Sequence, residues 1–316
     1  MPVQYVELGN ELYDPAYPAY TQLFASGADY GAAMNEWITR LHQEFPGIQV
    51  AVSAWDDSNP ATPRLPVLVR GWNRRLLAAV HGEDAIVLHT YWNLPPGVIP
   101  GSPQSVQPAL HAGAQRWQAV AKTDLPELPQ GVSAWFTEWN INAAPYQSYR
   151  GPLRENWAHG LSVAWFALAS AADRRVGFSV HHDVVSSGAT AAIYNGERDT
   201  IRFGFSADGQ ALAPIFEAFK NANADGTLKV DDPDNVLAVA VRSDHERVVT
   251  VNLSNEPRHV TLPGAIPLPA PVHTVSTDVA TVLNGATDGP NAPTISDTTS
   301  GIADVTLAPY SVTIIG

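Results

Sequence analysis

The chain has no cysteine among its 316 residues, which excludes disulfides and thiolate-bound metal ions. No apolar run reaches the roughly 18 residues of a membrane helix, and no basic-then-apolar signal segment precedes Val3. We therefore expect a soluble chain with no membrane contact. Its compartment is unknown, and it would be secreted only if a longer precursor carried an export signal.

Basic residues are also few, with 18 Lys and Arg against 31 Asp and Glu and a net charge of −13. They are scattered, whereas a nucleic-acid surface needs them clustered, so nucleic acid is not an expected partner. A neutral substrate would tolerate this acidic chain and a polyanion would not be favoured. Nine Trp and ten Tyr suit a carbohydrate substrate, although we expect most of these rings to be core.

Strand-like and helix-like segments alternate over the first two thirds of the chain. The predicted strands are short and apolar on both faces, as in a buried parallel sheet: Gln4–Leu8, Gln49–Ala54, Ala85–Thr90, Val132–Thr137 and Gly177–His181. The predicted helices repeat apolar residues at helical spacing: Tyr30–Phe45, Leu65–Val80, Ser105–Ala121, Asn156–Ala172 and Ala211–Asn223.

This alternation predicts an α/β domain built as a partial (β/α) TIM-type barrel of about five βα units, with its chemistry at the carboxyl ends of the strands. The competing architecture is a doubly wound sheet. It is disfavoured because no glycine-rich phosphate loop follows any predicted strand. No Gly-x-Ser-x-Gly elbow exists either, so a serine hydrolase of that type has no support.

The composition changes near Gly226, where helix signals end and Val, Thr, Asp, Asn and Pro increase. Short strands separated by turn clusters predict an all-β sandwich of roughly 90 residues. We therefore expect two domains, a barrel over 1–225 and a sandwich over 226–316. The predicted sandwich strands are Val236–Arg242, Arg247–Leu253, His259–Leu262, His273–Ser276 and Ala303–Ile315.

Two glutamates, Glu11 and Glu138, end or closely follow predicted strands of the barrel. A pair of carboxylates at the ends of parallel strands can cleave a glycosidic bond, because one protonates the leaving oxygen while the other attacks the sugar or stabilises its cation. His89 and Tyr91 are two residues apart on another strand and so share a face. The alternative interpretation is that both glutamates are solvent-facing loop residues.

The two motifs, Gln4–Glu11 and Thr137–Asn140, resemble those of clan A glycoside hydrolases of the arabinofuranosidase, xylosidase and endoglucanase families. In that clan an Asn-Glu pair ends the fourth strand of an eight-stranded barrel and a Glu ends the seventh. Some members append a β-sandwich whose final strand is similar to Leu307–Thr313. The resemblance implies that the first three βα units of the barrel are missing here.

Carried over to this sequence, the resemblance implies that Glu11 is the general acid/base, Glu138 the nucleophile and Asn10 the partner of the sugar 2-hydroxyl. It also implies that Tyr91 orients the nucleophile. Glu11 must then be protonated when it meets substrate, and Glu138 must be ionised. The retaining mechanism requires carboxyl groups about 5 to 5.5 Å apart. The remaining candidate substrate-binding residues are Trp55, His89, Trp92, Trp139 and His181.

The expected function is that of a retaining glycoside hydrolase acting on β-glycans or arabinose- and xylose-containing chains, without metal or cofactor. One alternative is a carbohydrate-binding remnant without turnover, and another is a metal-dependent hydrolase using His89 and His181. The run His181–Asp183 also suggests a metal site, but adjacent strand residues point to opposite faces. Asp56 and Asp57 could bind Ca²⁺, although a helix cap or solvated loop is favoured.

An incomplete barrel leaves a sheet edge and an inner face open. Either two chains associate through the open side or the strands rearrange into a smaller closed core. Of these two outcomes, we expect a homodimer formed through the open side of the barrel.

Overall fold

The computed structural model describes residues 3–59, 71–93, 106–141, 156–186, 191–194, 204–281 and 292–316. The first residues of the helices predicted from Leu65 and Ser105 lie outside these ranges, as does the predicted turn over 284–290. The chain separates into two compact units: Met1–Tyr91, Gln118–Trp139 and Arg174–Val180 form the first, and Trp92–Trp117, Asn140–Asp173 and His181–Gly316 the second. None of the helices in the described segments combines the length and apolar character that crossing a membrane requires.

Five parallel strands form a curled half-barrel in the order β1-β2-β3-β4-β5, which confirms the predicted partial barrel. The strands are β1 Tyr5–Leu8, β2 Gln49–Ala54, β3 Ala85–Trp92, β4 Ser133–Ile141 and β5 Val176–His181. The helices that alternate with them are α1 Pro18–Leu23, α2 Gly27–Glu44, α3 Trp72–Leu77, α4 Val106–Thr123, α5 Trp157–Ala172 and α6 Ala207–Phe219.

Helix α6 begins and ends four residues before its predicted bounds. The side chain of Ser206 accepts a hydrogen bond from the Gly209 amide and so caps the first turn. The interior of α6 contains Pro214, and proline normally disfavours a helix interior. The residues that follow form a strand rather than a further helical turn. Short strands β6 Val185–Ser186, β7 Ile193–Tyr194 and β8 Gly204–Phe205, which the sequence did not indicate, precede α6.

The described part of the second unit ends in antiparallel strands, as the sandwich prediction requires. They are β9 Asn223–Thr227, β10 Val236–Arg242, β11 Glu246–Asn252, β12 Arg258–Thr261, β13 Ala270–Ser276, β14 Thr294–Ser300, β15 Asp304–Leu307 and β16 Ser311–Ile315. A six-stranded sheet has the order β14-β13-β16-β11-β10-β9, and β12 pairs with β15. Their buried faces share a core that includes Val236, Val248, Val260, Leu307 and Ile315. The domain boundary at residue 226 stays a prediction.

The prediction of a single strand over Ala303–Ile315 is wrong, because this segment forms two strands with different partners. Strand β15 pairs with β12, whereas β16 pairs with β11 and β13. The break falls at Pro309, which cannot donate to a strand ladder, and at Tyr310, whose φ of 48° lies in the left-handed region.

An aromatic cluster links the two edges of the curled sheet within the first unit. Tyr5 of β1 lies edge-on to Trp135 of β4, with ring centroids 5.5 Å apart, and 5.2 Å from Phe178 of β5. Strands β1 and β5 stand at opposite edges in the strand order. Side chains from the two edges therefore meet, and the inner face is packed in part by the protein's own rings.

The outer part of this edge stays exposed, since Val3 is 71% and Tyr5 51% accessible. Exposed strand edges are templates for pairing with another chain. Homodimer formation through the open side stays a prediction.

Gly177 tests the packing of the aromatic cluster, because a Cβ at this position would lie 2.7 Å from the indole nitrogen of Trp135. We expect Gly177→Ala to lower the free energy of unfolding by about 1–3 kcal/mol, the usual cost of overpacking. The matched control is Gly264→Ala, where the added methyl meets nothing within 4 Å. Urea denaturation measures both, and equal stabilities for the two variants would contradict this packing.

Candidate active site

The first carboxylate of the site follows a sharp turn at the carboxyl end of β1. The strand ends at Leu8, and the chain turns through Gly9 with φ 99° and Glu11 with φ 49°. The Asp14 amide donates to the Glu11 carbonyl at 2.8 Å and closes the turn. A non-glycine residue with positive φ is uncommon, and such strain concentrates at functional sites. The turn places the Glu11 side chain beside the ends of β3 and β4.

A buried imidazole joins this carboxylate to the second one. The side chain of His89 on β3 is 3% exposed. Its Nδ1 lies 2.9 Å from Glu11 Oε1 and 3.6 Å from Glu138 Oε2. Its Nε2 lies 3.1 Å from the hydroxyl of Thr137. Residues from the turn after β1, from β3 and from β4 thus converge on one ring.

Glu138 also accepts a hydrogen bond from the Tyr91 hydroxyl at 2.7 Å, to the same Oε2 that faces His89. One carboxylate oxygen of Glu11, one carboxylate oxygen of Glu138 and one ring nitrogen of His89 all lie within 4.8 Å of one another. One oxygen of Glu11 and one oxygen of Glu138 are therefore separated by no more than that distance. Among the residues proposed from sequence, the structure brings together Glu11, Glu138, His89 and Tyr91.

The electrostatics of the group favour a charged imidazole. Burial would by itself lower the pKa of His89, but the hydrogen bond to Glu11 and the charges of Glu138, Glu11 and Glu7 outweigh burial and raise it. An imidazolium between carboxylates can donate from both nitrogens, while a neutral ring donates from one.

Glu7 is the acidic residue of this site that our sequence reasoning missed. It lies on β1, and its Oε1 is 3.9 Å from His89 Nε2. Burial raises the pKa of Glu7, as do the charges of Glu138 and Glu11, while His89 and a hydrogen bond with Thr137 lower it. The sequence did offer a sign of this role, because Glu7 lies within the apolar strand Tyr5–Leu8. Burying a carboxylate there costs free energy unless it has polar or charged partners.

The remaining sequence-predicted residues have varied surroundings in the structure. Asn10 is exposed, and half-buried Trp55 lies edge-on to Tyr13 with ring centroids 5.2 Å apart. Trp139 is 1% exposed, and so is not an open ring face in this structure. Trp92 is 4% exposed and stacks on Phe166 within the second unit. Sugar-binding roles for these residues stay predictions.

His181 belongs to the second unit and contacts a buried aspartate there. Its Nε2 lies 3.4 Å from Asp208 Oδ2, and His159 Nδ1 lies 2.9 Å from Asp208 Oδ1. Burial would raise the pKa of Asp208, but the two histidines outweigh burial and lower it. The neighbouring His182 is exposed and lies 2.8 Å from Asp183 Oδ1. His181 is thus part of a compact buried group with His159 and Asp208, and its contact with sugar stays a prediction.

Glu11, His89 and Glu138 are the described residues whose donor atoms are spaced closely enough to hold a cation. Groups of exposed acidic residues commonly have such spacing without a metal. We assign no metal to the group.

The Asp56–Asp57 loop is held by protein hydrogen bonds. Asp56 accepts from the Ser58 hydroxyl at 2.6 Å, and Asp57 from the Asn73 amide at 3.0 Å. The backbone amide of Asp57 donates to Asp124 at 2.8 Å. Burial, with the charge of Asp124, raises the pKa of Asp57 to about 6. Asp56 is 1% exposed and Asp57 is half-buried, so the predicted solvated loop is instead a loop packed against the protein.

The raised pKa of Asp57 implies that the free energy of unfolding depends on pH. Because the folded state binds the proton of Asp57 more tightly than the unfolded state, the stabilisation is fully present below the unfolded pKa of about 4 and is lost as pH rises through about 6. The free energy of unfolding of Asp57→Asn, measured relative to that of the wild type, should therefore increase when the pH is raised from 4 to 7.5. Urea denaturation at both pH values measures this, with the exposed-loop variant Asp244→Asn as control. A stability difference independent of pH would contradict the expected proton linkage.

Comparison with known proteins gives two findings. The family profile described as the D-apionate lactonase C-terminal immunoglobulin-like domain matches residues 233–315, about a quarter of the chain. A search of curated protein sequences gave no match.

Several solved structures share the fold at low sequence identity. A GH51 α-L-arabinofuranosidase from Thermotoga petrophila is 17% identical with a TM-score of 0.65, over 98% of this chain and 65% of its own. The family 51 α-L-arabinofuranosidase AbfB from Bifidobacterium longum is 15% identical with a TM-score of 0.69, over 98% and 66%. A 4-O-α-L-rhamnosyl-β-D-glucuronidase from Fusarium oxysporum is 13% identical with a TM-score of 0.62, over 99% and 70%.

The likeness shows that this chain has a fold of the kind found in glycoside hydrolases such as the arabinofuranosidases. The chain spans about 65% of the length of the Thermotoga enzyme. At these identities the likeness concerns the fold alone.

Proposed function

We propose that this protein is a retaining glycoside hydrolase in which Glu138 is the nucleophile and Glu11 the general acid/base. The observation that carries the proposal is the approach of one oxygen of each glutamate to within 4.8 Å. Retaining enzymes have carboxyl groups about 5–5.5 Å apart, whereas inverting enzymes leave about 6.5–9.5 Å for a water molecule. The short separation therefore supports direct attack by a carboxylate.

The neighbours of Glu138 suit a nucleophile. Tyr91 donates to Oε2, and His89 lies 3.6 Å from the same oxygen. Both contacts fix the orientation of the carboxylate. Its other oxygen, Oε1, would then attack the anomeric carbon.

The chemistry would proceed in two displacements. In the first, Glu138 forms a bond to the anomeric carbon while Glu11 gives its proton to the departing glycosidic oxygen. In the second, Glu11 takes a proton from water, whose oxygen bonds to the anomeric carbon as the bond to Glu138 breaks. Each glutamate returns to its starting protonation state.

The proposed substrates are arabinose- or xylose-containing chains or β-glycans. The fold shared with arabinofuranosidases supports this class, and the acidic chain suits neutral sugars. Asn10, Trp55 and Trp139 remain proposed sugar contacts, as do Trp92 and His181.

A panel of nitrophenyl α-L-arabinofuranosides, β-xylosides and β-glucosides tests the proposal. We expect turnover by the wild type and a loss of at least about 10³-fold in kcat for Glu138→Gln and for Glu11→Gln, because each variant removes one member of the catalytic pair. Glu44→Gln, at an exposed position of α2, is the matched control with unchanged activity.

Azide separates the two glutamate roles. It should restore turnover to Glu11→Ala on an activated aryl glycoside with retained configuration, and to Glu138→Ala with inverted configuration, because a small anion then replaces the missing base or nucleophile. Sugar binding that neither variant changes, without wild-type turnover on any member of the panel, would instead support a binding remnant.

A second candidate activity is hydrolysis of a sugar lactone, favoured by the match of residues 233–315 to the D-apionate lactonase C-terminal domain. In this reaction, one ionised glutamate would take a proton from water as it attacks the lactone carbonyl. The ring oxygen would leave with a proton from the protonated glutamate.

Aldonolactones distinguish the two activities. Proton release on lactone opening, followed at constant pH and lost in both glutamine variants, would favour the lactonase when the glycosides stay intact. Glycoside turnover with lactone opening no faster than in buffer would favour the glycosidase.

A further inference from the structure

A cleft of about 580 Å³ lies within the second unit, and neither candidate reaction gives it a role. One face of α6 forms one wall, and the six-stranded sheet forms the floor and the other wall. Cavities of roughly 300–1,000 Å³ are typical of small-molecule sites. The carboxylates of the proposed catalytic pair belong to the first unit, so the cleft is a second candidate site.

The wall formed by α6 contains a buried amide without a partner. Residues of one helix face line this wall: Gln210, Ala213, Pro214 and Glu217. Gln210 is 8% exposed, and its side chain has no hydrogen-bond partner among the described residues. Burying an amide without a partner costs free energy, because its lost bonds to water are not replaced. A ligand in the cleft would supply the missing partner.

The floor of the cleft is apolar. Val275 of β13 is 3% exposed and pairs with Ile295 of β14 on one side and with Val312 of β16 on the other. Ile314 of β16 continues this lining. Ile295 is 56% exposed, because β14 is an edge strand of the sheet. An apolar floor with a few polar groups around it is the usual construction of a small-molecule site.

A histidine and an aspartate form a polar group at the β14 side of the cleft. His273 and Asp297 lie directly opposite each other on β13 and β14, with His273 Nδ1 2.7 Å from Asp297 Oδ1. This contact leaves His273 Nε2 and Asp297 Oδ2 without a hydrogen-bond partner among the described residues. Together with the amide of Gln210, these atoms include donors and acceptors, as sugar hydroxyls require.

An unpaired guanidinium lines the cleft as well. Arg247 of β11 is half-buried and forms no ion pair among the described residues, whereas Arg242 of β10 lies 2.6 Å from Asp225. A guanidinium binds a carboxylate through two parallel hydrogen bonds. The position of Arg247 therefore favours a ligand that carries a carboxylate.

The spacing across the sheet leaves room for such a ligand. Strand β16 lies between β11 and β13, so Arg247 is about 10 Å from β13 at a strand spacing of about 4.8 Å. Gly316 occupies the intervening position: a Cβ there would lie 3.4 Å from the Arg247 Cα, and its amide donates to the Pro271 carbonyl at 3.0 Å. Because Gly316 has no side chain, none extends into the cleft between Arg247 and β13.

We propose that this cleft binds a sugar acid, with its carboxylate on Arg247 and its hydroxyls on Gln210 and the His273–Asp297 pair. The C–H groups of the sugar lie against Val275 and the neighbouring apolar floor. The exposed carboxylates of Glu217 and Asp297 oppose further negative charge, so the site favours one carboxylate per ligand over a polyanion. This binding function goes beyond the proposed hydrolysis and does not depend on it.

Titration of the full chain with D-glucuronate, followed by amide NMR, tests the proposal, with D-glucose at equal ionic strength as the neutral counterpart. We expect saturable shifts of amide signals from α6, β13 and β14. The Kd should be at least about 10-fold lower for glucuronate than for glucose, because only glucuronate forms the charged contact with Arg247.

Variants separate the two kinds of contact. Arg247→Gln should remove the preference for glucuronate over glucose. Arg242→Gln removes the same charge from the neighbouring strand, outside the cleft, and should leave both Kd values unchanged. Gln210→Met keeps the length of the side chain but not its hydrogen bonds, and should weaken both sugars by about 5- to 10-fold.

Glucuronate that shifts no cleft amide, or that binds no more tightly than glucose, would overturn the proposal. A preference that persists in Arg247→Gln would also overturn it. If Arg247→Gln does not fold, Arg247→Lys decides, since an ammonium cannot form the planar two-bond contact and should reduce the preference. The measurement needs no turnover, so failure of this site and failure of the proposed glycosidase are separate results.

Discussion

One buried imidazole among three carboxylates is the constraint on which this site depends. His89 contacts Glu11 directly and lies within 4 Å of Glu138 and Glu7. Without a positive charge among them, three close carboxylates would repel one another, and some would take up protons. Protonation is therefore a property of the whole group. A site that needs one protonated and one ionised glutamate can obtain both states from such coupling.

The half-barrel brings these residues together from distant parts of the sequence. Parallel strands end at one edge, so the ends of β1, β3 and β4 deliver Glu11, His89 and Glu138 to one place. Curling of the sheet brings Tyr5 of β1 to Trp135 of β4, and farther along β1 it brings Glu7 Oε1 to 3.9 Å from His89 Nε2 of β3. The same curvature therefore produces both the aromatic cluster and the carboxylate cluster.

Local patterns predicted the fold, while the catalytic roles of Glu11 and Glu138 stay predictions. Short apolar runs located the five parallel strands, and the two-residue spacing of His89 and Tyr91 indicated a shared face. The contacts of these two residues with Glu11 and Glu138 are visible only in the structure. Glu7 was missed because the Asn-Glu motif drew attention to Glu11, and because His89, which lies beside Glu7, is far away in sequence. The burial of Trp92 and Trp139 was equally hidden, since composition cannot distinguish a ring that faces a ligand from one in a core. Such information resides in contacts across the sheet.

The central claim is that Glu138 bonds to the sugar while Glu11 moves the proton. Mass spectrometry of the peptides from protein treated with activated 2-deoxy-2-fluoro glycosides of the hydrolysed sugar tests it most directly, because these reagents slow breakdown of a glycosyl-enzyme. We expect one glycosyl adduct, located on Glu138 and absent from Glu138→Gln. An adduct on Glu7 or Glu11, or steady hydrolysis that inverts the anomeric configuration, would contradict it.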